Sequence, residues 1–416
     1  MIELTFLGAM GCVGASAILV DTGNEKLMLD YGVKVSERPH VFPLPIEGSV
    51  DAILLTHSHL DHSGGLPILS RNGVPIYSLK VNQPLAELLL NDSIKVSHEE
   101  GISLPFDKND VVITINSFKQ VEYKKEFKVH KSNITFLDAG HIPGSAMIYL
   151  ENEKKILYTG DFNTLETRLV NACEKKLPET DVLITECTYS DRDHPDRKEQ
   201  EKELLKLIDS TLAKDGIALI AAFAIARAQE ILLILNSKGI DYPCYIDGMA
   251  KKATTILIKN RACKDCEKLD AALENVKYIN TARQRKKVIK QPGVIVTTSG
   301  MLHGGPIVWY LKKLYNKENC SLILTGFQVE GTPGKTLLET GRFVYETLDL
   351  EVKMLVKRLD FSAHVGRSDL LKFIKKINPE KVFCVHGDHT EEFSFELKEM
   401  GFDAVAPLAN NRRFKI

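Results

Sequence analysis

An α/β protein with one α/β unit inserted into another is the architecture predicted by this 416-residue sequence. Three observations carry that expectation. Short apolar runs bounded by Gly, Asn, Asp or Pro dominate residues 1–190, and such runs read as strands. Strands then alternate with helical patterns from about residue 191 to 355. Residues suited to binding a metal stand both before and after that alternating stretch.

Composition bounds the class. Hydrophobic residues make up 44% of the chain, enough for large cores and too many for a disordered protein. The 54 Lys and Arg nearly balance the 55 Asp and Glu, leaving a net charge of −1. That excludes a globally basic nucleic-acid coat protein but not an enzyme with a local basic groove. No apolar run reaches the ~20 residues of a membrane span; the densest, Ile217–Ala226, is too short. Leu4–Val20 is uncharged and loosely similar to a signal peptide. Glu3 precedes it without any Lys or Arg, however, and glycines interrupt it, so it reads as a strand, Ile2–Leu7, a glycine loop and a second strand. The eight cysteines are scattered, mostly singly. That is no disulfide framework, and a cytoplasmic location is expected.

Along the chain, Lys26–Leu29, Ala52–Leu55, Ile134–Leu137, Ala146–Leu150, Lys155–Tyr158 and Val182–Thr185 are expected strands, with a helical pattern at Gln83–Ile94. After Tyr189 the rhythm changes. A helix carries Leu204, Ile208 and Leu212 on one face, Ile217–Ala222 reads as a buried strand, and Ala228, Ile231, Leu232 and Leu235 recur at helical spacing. Cys244–Ile246, Val294–Thr297 and Leu322–Leu324 each precede a glycine-containing loop. Such alternation implies a parallel sheet flanked by helices. From Val356 onward come one more helix, the strand Val382–Val385 and a last helix. The expected organisation is 1–190, an insert at 191–355, and a return to the first domain at 356–416.

The strongest chemical signal is Thr56-His57-Ser58-His59-Leu60-Asp61-His62, directly after an apolar strand. A strand ending in a tight loop can aim these side chains into one small volume, and imidazole with carboxylate suits zinc. His57 and His59 suit one ion, while Asp61 and His62 turn toward another. Two ions need about seven ligands, so the rest must come from farther along. His141 in Ala139–Ser145, Asp161 in Tyr158–Phe162 and His386 in Val385–Asp388 each stand where a strand hands over to a glycine-flanked turn. If Asp161 and His386 touch one metal pair, everything between them is an insertion.

These residues resemble the metal-binding motifs of the metallo-β-lactamase superfamily, with Asp30 matching the aspartate that ends an early strand there. More narrowly, the chain is similar to the β-CASP nucleases. Thr185–Tyr189 resembles the family's acidic motif A, Phe361–His364 its histidine motif B, and Val385–Gly387 its motif C. Ala222–Glu230, Asp247–Ala250, Thr298–Pro306 and Gly326–Thr332 are similar to stretches of the β-CASP insert. Asp388 stands where many members have Glu, and Ala222 replaces a frequent Pro; neither is an expected ligand. The chain is also short of the C-terminal domain and the N-terminal RNA-binding modules of some members, which leaves dimerisation and substrate docking open.

The resemblance implies a metallo-β-lactamase αββα sandwich with an inserted α/β (β-CASP) domain. It implies two Zn2+ per chain, one on His57, His59 and His141, the other on Asp61, His62 and His386, with Asp161 bridging. Asp30 would fix a ligand histidine through its free ring nitrogen. The implied activity is a zinc-dependent ribonuclease in RNA processing or degradation. A metal-bound hydroxide would attack phosphorus, leaving 5′-phosphate and 3′-hydroxyl ends. His364 supported by Glu186 would protonate the leaving group, and Asp61 counts with them as catalytic. Single-stranded RNA is the expected partner, DNA a candidate second substrate and a homodimer a candidate assembly. Ser145, Ser299 and Ser362 are candidate phosphate contacts. The rival expectations are a small-molecule metallo-hydrolase for thioesters or lactones, against which motifs A and B and the insert argue, and a non-catalytic RNA-binding subunit, which would have lost ligands.

Weaker signals have plainer readings. Cys263-Lys264-Asp265-Cys266 has zinc-ligand spacing but lacks a second pair. Gly8–Gly14 resembles a phosphate loop, but Ser16–Val20 reads as a strand where a dinucleotide site needs a helix, so a tight turn near the metals is expected. The basic run Arg283–Lys287 reads as a solvated helix face in preference to an RNA track. His40, His98, His130, His194, His303 and His389 read as surface or structural residues.

Overall fold

The computed structural model describes residues 1–37, 39–239 and 242–416. They fall into two compact units. One comprises residues 1–166, 170–193 and 363–416; the other comprises residues 167–169 and 194–362.

The first unit is a sandwich of two seven-stranded sheets. One sheet runs in the order Arg413–Lys415, Glu3–Phe6, Ile18–Asp21, Lys26–Leu29, Ala52–Leu54, Ile76–Leu79, Phe118–Val121. The other runs Ala404–Val405, Lys381–Val385, Val182–Glu186, Lys155–Tyr158, Ala146–Glu151, Ser132–Asp138, Phe127–Val129. Alternating inward residues of both sheets meet in one core that includes Phe6, Leu29, Leu54, Phe136, Ile148, Ile184 and Phe383. Enclosing a side chain of this size stabilises by ~1.5–3 kcal/mol. Helices cover the outer faces. Ala86 of the helix Asn82–Glu99 packs with Met28 and Ile53, and Leu370, Phe373 and Ile374 of the helix Arg367–Ile377 pack with Leu157, Leu183 and Val382. This is an αββα layering.

Register decides where the site forms. Lys26–Leu29 lies parallel to Ala52–Leu54, and Val182–Glu186 lies parallel to both Lys155–Tyr158 and Lys381–Val385. Parallel neighbours end on the same edge of their sheet, so Asp30 and His57 emerge together from one sheet and Asp161, Glu186 and His386 together from the other.

The second unit has a six-stranded parallel sheet in the order Val276–Tyr278, Cys244–Ile246, Gly293–Thr297, Ile217–Ala221, Ser321–Leu324, Leu355–Arg358. The two central strands, Gly293–Thr297 and Ile217–Ala221, are buried along their whole length, as strands covered on both faces must be. The helix Arg197–Leu212 covers one face with Leu204 and Ile208, its N-terminus capped by Asp196 accepting from the Glu199 N–H at 3.0 Å.

Three details differ from expectation. The chain leaves the second unit after Ser362, not at about 356, because Leu355–Arg358 pairs with Ser321–Leu324 as an edge strand. Cys263 and Cys266 are joined in a disulfide, so this pair departs from the expectation of isolated thiols; the other six cysteines are free. Arg285, read as part of a solvated face, instead donates to the fully buried Asp247 carboxylate from Nε at 2.6 Å and Nη2 at 3.1 Å. No helix among the described residues is long and apolar enough to cross a membrane.

Candidate active site

The loop after Ala52–Leu54 delivers four of the residues singled out in the sequence. His57 and His62 are fully buried, and His59 precedes the single-turn helix Leu60–Ser63 that carries Asp61 and His62. Other strand ends complete the cluster. His141 follows Ser132–Asp138, and its backbone N–H donates to Ser145 Oγ at 3.1 Å. Asp161 follows Gly160, whose positive φ of 51° and 2.8 Å clearance from Thr56 leave no room for a side chain. His386 follows Lys381–Val385 in a left-handed conformation, φ 51°, with its N–H on the Ala9 carbonyl at 2.9 Å. The glycine loop thus lies against the site as a turn. Left-handed backbone at a histidine and at Asp30 (φ 56°) costs energy that the surrounding structure must supply, and such strain clusters at functional sites.

The side chains meet in two groups. One ligand-type atom from each of His57, His59, His141 and Asp161 lies within 4.8 Å of the others; the same holds for Asp61, His62, Asp161 and His386. Asp161 belongs to both. A third group joins Asp161 to Glu186 and His364. The decisive feature is what these atoms lack. His57 Nε2, Asp161 Oδ1 and His386 Nε2 are buried and, among the described residues, make no hydrogen bond. An unpaired buried polar atom costs ~1–3 kcal/mol. His57 belongs to one group, His386 to the other and Asp161 to both, so the unpartnered atoms fit cations bound in the two groups. Imidazole nitrogens and carboxylate oxygens gathered in one cluster are a donor set suited to a metal ion.

The electrostatics divide the two groups. Burial works against charge on His62 and His386, but Asp161 with Asp30 raises the first and Asp161 with Asp61 raises the second above the ordinary histidine range. The histidines of the other group are lowered. Burial, reinforced by neighbouring histidines, pushes His57 and His141 well below the ordinary histidine range. Burial lowers His59 to about 4, against the pull of Asp61 and Asp161. These rings are neutral at pH 7, the form that ligates metal. Burial opposes charge on Asp161 and Asp61, but the surrounding histidines overcome it and hold both carboxyls below their usual range.

Two carboxylates stand one layer out. Asp30, fully buried, accepts from Thr56 N at 2.7 Å, Thr56 Oγ1 at 2.8 Å, His62 Nδ1 at 2.7 Å and Tyr158 Oη at 2.9 Å. Glu186 accepts from the Phe162 N–H at 2.7 Å, Thr188 Oγ1 at 2.5 Å and His364 Nδ1 at 2.8 Å. His364 is also held near the cluster, with Asp161 Oδ2 4.0 Å from Nδ1. Burial works against its charge, but Glu186 and Asp161 raise it to about 9. Its side chain stays 20% exposed, so it joins the buried cluster to the surface.

The candidate phosphate contacts fare differently. Ser145 is fully buried and its hydroxyl accepts from the His141 and Ile142 N–H groups, both at 3.1 Å. It shapes the His141 loop and offers no surface to a substrate. Ser299 and Ser362 lie in the other unit, where Ser299 Oγ donates to the His303 carbonyl at 2.9 Å and the Ser362 N–H donates to Asp360 Oδ1 at 2.9 Å. Sequence reasoning missed Thr56, Tyr158 and Thr188. All three lie inside the motif strings, one to three residues from a metal or acid–base candidate, and a hydroxyl at that spacing was the available signal.

The Beta-Casp domain family matches residues 228–337. The Zn-dependent metallo-hydrolase RNA specificity domain matches residues 349–407. The Anti-Pycsar protein Apyc1 family matches residues 4–211. A probable RNase, MJ4, of Methanocaldococcus jannaschii is 38% identical over 97% of this chain and 98% of its own length. RNase aCSPSF2 of Saccharolobus solfataricus is 34% identical over 97% of this chain and 83% of its own. The transcription termination factor FttA of M. jannaschii is 32% identical, covering 95% of this chain and 68% of that protein. A crystal structure of a protein of unknown function from Enterococcus faecalis V583 shares the fold, with a TM-score of 0.62 at 15% identity over the full length of both chains.

Proposed function

The chain belongs to the β-CASP family of metallo-β-lactamase-fold ribonucleases, and we propose that it hydrolyses phosphodiester bonds of single-stranded RNA with two zinc ions. The observation that carries this reading is Asp161, shared by two groups of buried ligand atoms and adjoined by the His364–Glu186 pair. His57, His59 and His141 would hold one ion, Asp61, His62 and His386 the other, and Asp161 both. Bound zinc supplies a nucleophile from water at neutral pH, by bringing its pKa to about 7, and neutralises charge on phosphate oxygens.

The remaining steps belong to the chain. Glu186 accepts a hydrogen bond from His364 Nδ1–H and favours the imidazolium form, so that Nε2 can give its proton to the departing 3′-oxygen. In-line attack on phosphorus breaks the bond to that oxygen, and the products carry 5′-phosphate and 3′-hydroxyl ends. The substrate's 2′-hydroxyl takes no part, so single-stranded DNA falls within reach of the same chemistry. The match to an RNA specificity domain favours RNA over a thioester or lactone, and the complete ligand set argues against a non-catalytic subunit. The test is end analysis of RNA cleaved by the zinc-loaded protein. Products with 5′-phosphates and 3′-hydroxyls are expected, whereas 2′,3′-cyclic phosphates would overturn the mechanism.

A further inference from the structure

Thr188 lies two residues beyond Glu186, where the parallel strands Val182–Glu186 and Lys381–Val385 end side by side with Glu186 opposite Val385. The strand ends come very close. The Cys187 N–H donates to the His386 carbonyl at 3.2 Å, and a Cβ on Gly387 would lie 2.3 Å from the Cys187 carbonyl oxygen. Thr188 Oγ1 is thereby pressed between Glu186 Oε2, at 2.5 Å, and His386 Nδ1, at 3.2 Å.

A hydroxyl has one proton to give and lone pairs to receive. The His386 carbonyl is also within 3.1 Å of Oγ1, but it already accepts from Cys187, and the Glu186 contact is shorter and charge-assisted. The proton therefore goes to Glu186. The lone pair faces His386 Nδ1, which must then carry hydrogen, leaving Nε2 bare. Nε2 lies 3.4 Å from Asp61 Oδ2, outside hydrogen-bond geometry, and is a buried atom without a hydrogen bond among the described residues. Asp161 Oδ1, 3.3 Å from Nδ1, is not in hydrogen-bond geometry. The same device occurs once more in the cluster, where Thr56 Oγ1 stands 3.1 Å from His57 Nδ1 and donates to Asp30 Oδ2 at 2.8 Å, again leaving an unpartnered Nε2.

We infer that Thr188 is a positioning residue whose single hydroxyl fixes the metal-binding tautomer of His386 and the orientation of the Glu186 carboxylate toward His364. It couples the metal cluster to the acid–base pair. This rests on the reading of His386 as a metal ligand, and the experiment separates the two. Thr188→Val keeps the shape and removes the hydroxyl, Thr188→Ala does so without branching should valine fold poorly, and Thr188→Ser restores it. Zinc retained during dialysis against a chelator is measured on each, alongside RNA cleavage. Loss of a supporting hydrogen bond to a ligand typically costs ~10–100-fold in metal affinity or activity. Thr188→Val or Thr188→Ala should therefore release one ion about tenfold or more faster and cleave about tenfold or more slowly, while Thr188→Ser stays near wild type in both. Zinc retention like wild type in the hydroxyl-free variants, or a serine variant as impaired as the valine one, would overturn the inference. His386→Ala is the control. If it keeps both ions, the ligand reading falls and the inference with it; if it loses one while Thr188→Val keeps both, the inference alone falls.

Discussion

Asp30 and Glu186 look alike in sequence, each an acid at the end of a buried strand, but the structure uses them differently. Asp30 receives four hydrogen bonds from groups that are themselves enclosed: Thr56 twice, His62 and Tyr158. Nothing in that set reaches solvent. Glu186 receives three, and one comes from His364, whose side chain remains partly open to solvent. One carboxylate closes a network and the other leads out of it. The difference teaches that an acid one layer behind a metal cluster can serve rigidity or proton transfer, and that its partner's exposure tells which.

Breaking what both share should have the largest effect. Asp161 contributes to every ligand group in the cluster, so Asp161→Ala should retain well under half the zinc of wild type by elemental analysis and show no measurable cleavage. Full zinc occupancy in that variant would dissolve the comparison, since neither outer carboxylate would then support a shared site.

The two acids should next part company. Asp30→Ala strips the acceptor from four buried donors, and removing one partner of a buried charged pair costs about 3–5 kcal/mol. Urea unfolding should register that loss. Glu186→Gln should unfold near the wild-type midpoint and hold its zinc, yet cleave about a hundredfold more slowly, within the range lost when general acid catalysis is removed. Equal losses of stability in the two variants would remove the distinction.

A third carboxylate sharpens the contrast at smaller scale. Among the described residues, Asp138 accepts only the Gly140 N–H, at 2.9 Å, and has no histidine partner. Burial, with Glu174 adding to it, lifts its carboxyl to about 6 against the pull of that N–H and of Lys124. A carboxyl raised in the folded state binds its proton more tightly there than in the unfolded chain. Its contribution to stability is present below the unfolded value near 4 and is lost as pH rises through about 6. Asp138→Asn should therefore flatten the decline in unfolding free energy between pH 4 and 6. An unchanged pH profile would show that the carboxylate is compensated as Asp30 and Glu186 are.

Much of this was legible in the sequence because local pattern dictated it. Lys26–Leu29 and Lys155–Tyr158 form strands over the expected residues, being short apolar runs between breakers. The ligand-type residues stand on strand ends that parallel pairing must bring together. What escaped depended on partners far apart in the chain. Leu355–Arg358 carries little apolar patterning because it is an edge strand exposed on alternate residues, so the return from the insert looked earlier than it is. Arg285 looked solvated because Asp247, its buried partner, lies on another element. Ser145 looked free because the amides it serves are created by the turn itself. Thr188 showed only a hydroxyl two residues from Glu186, since its role depends on a strand register joining residue 186 to residue 385.

The most direct measurement is single-turnover cleavage of single-stranded RNA by His364→Ala, with zinc determined on the same preparation. If Glu186 and His364 form the outlet of the cluster, that variant keeps its full zinc and its fold but cleaves about a hundredfold or more slowly. Adding Glu186→Gln to it should then cost little more, as for residues acting as a unit. Near-normal cleavage by His364→Ala, or loss of zinc in step with loss of activity, would contradict the account.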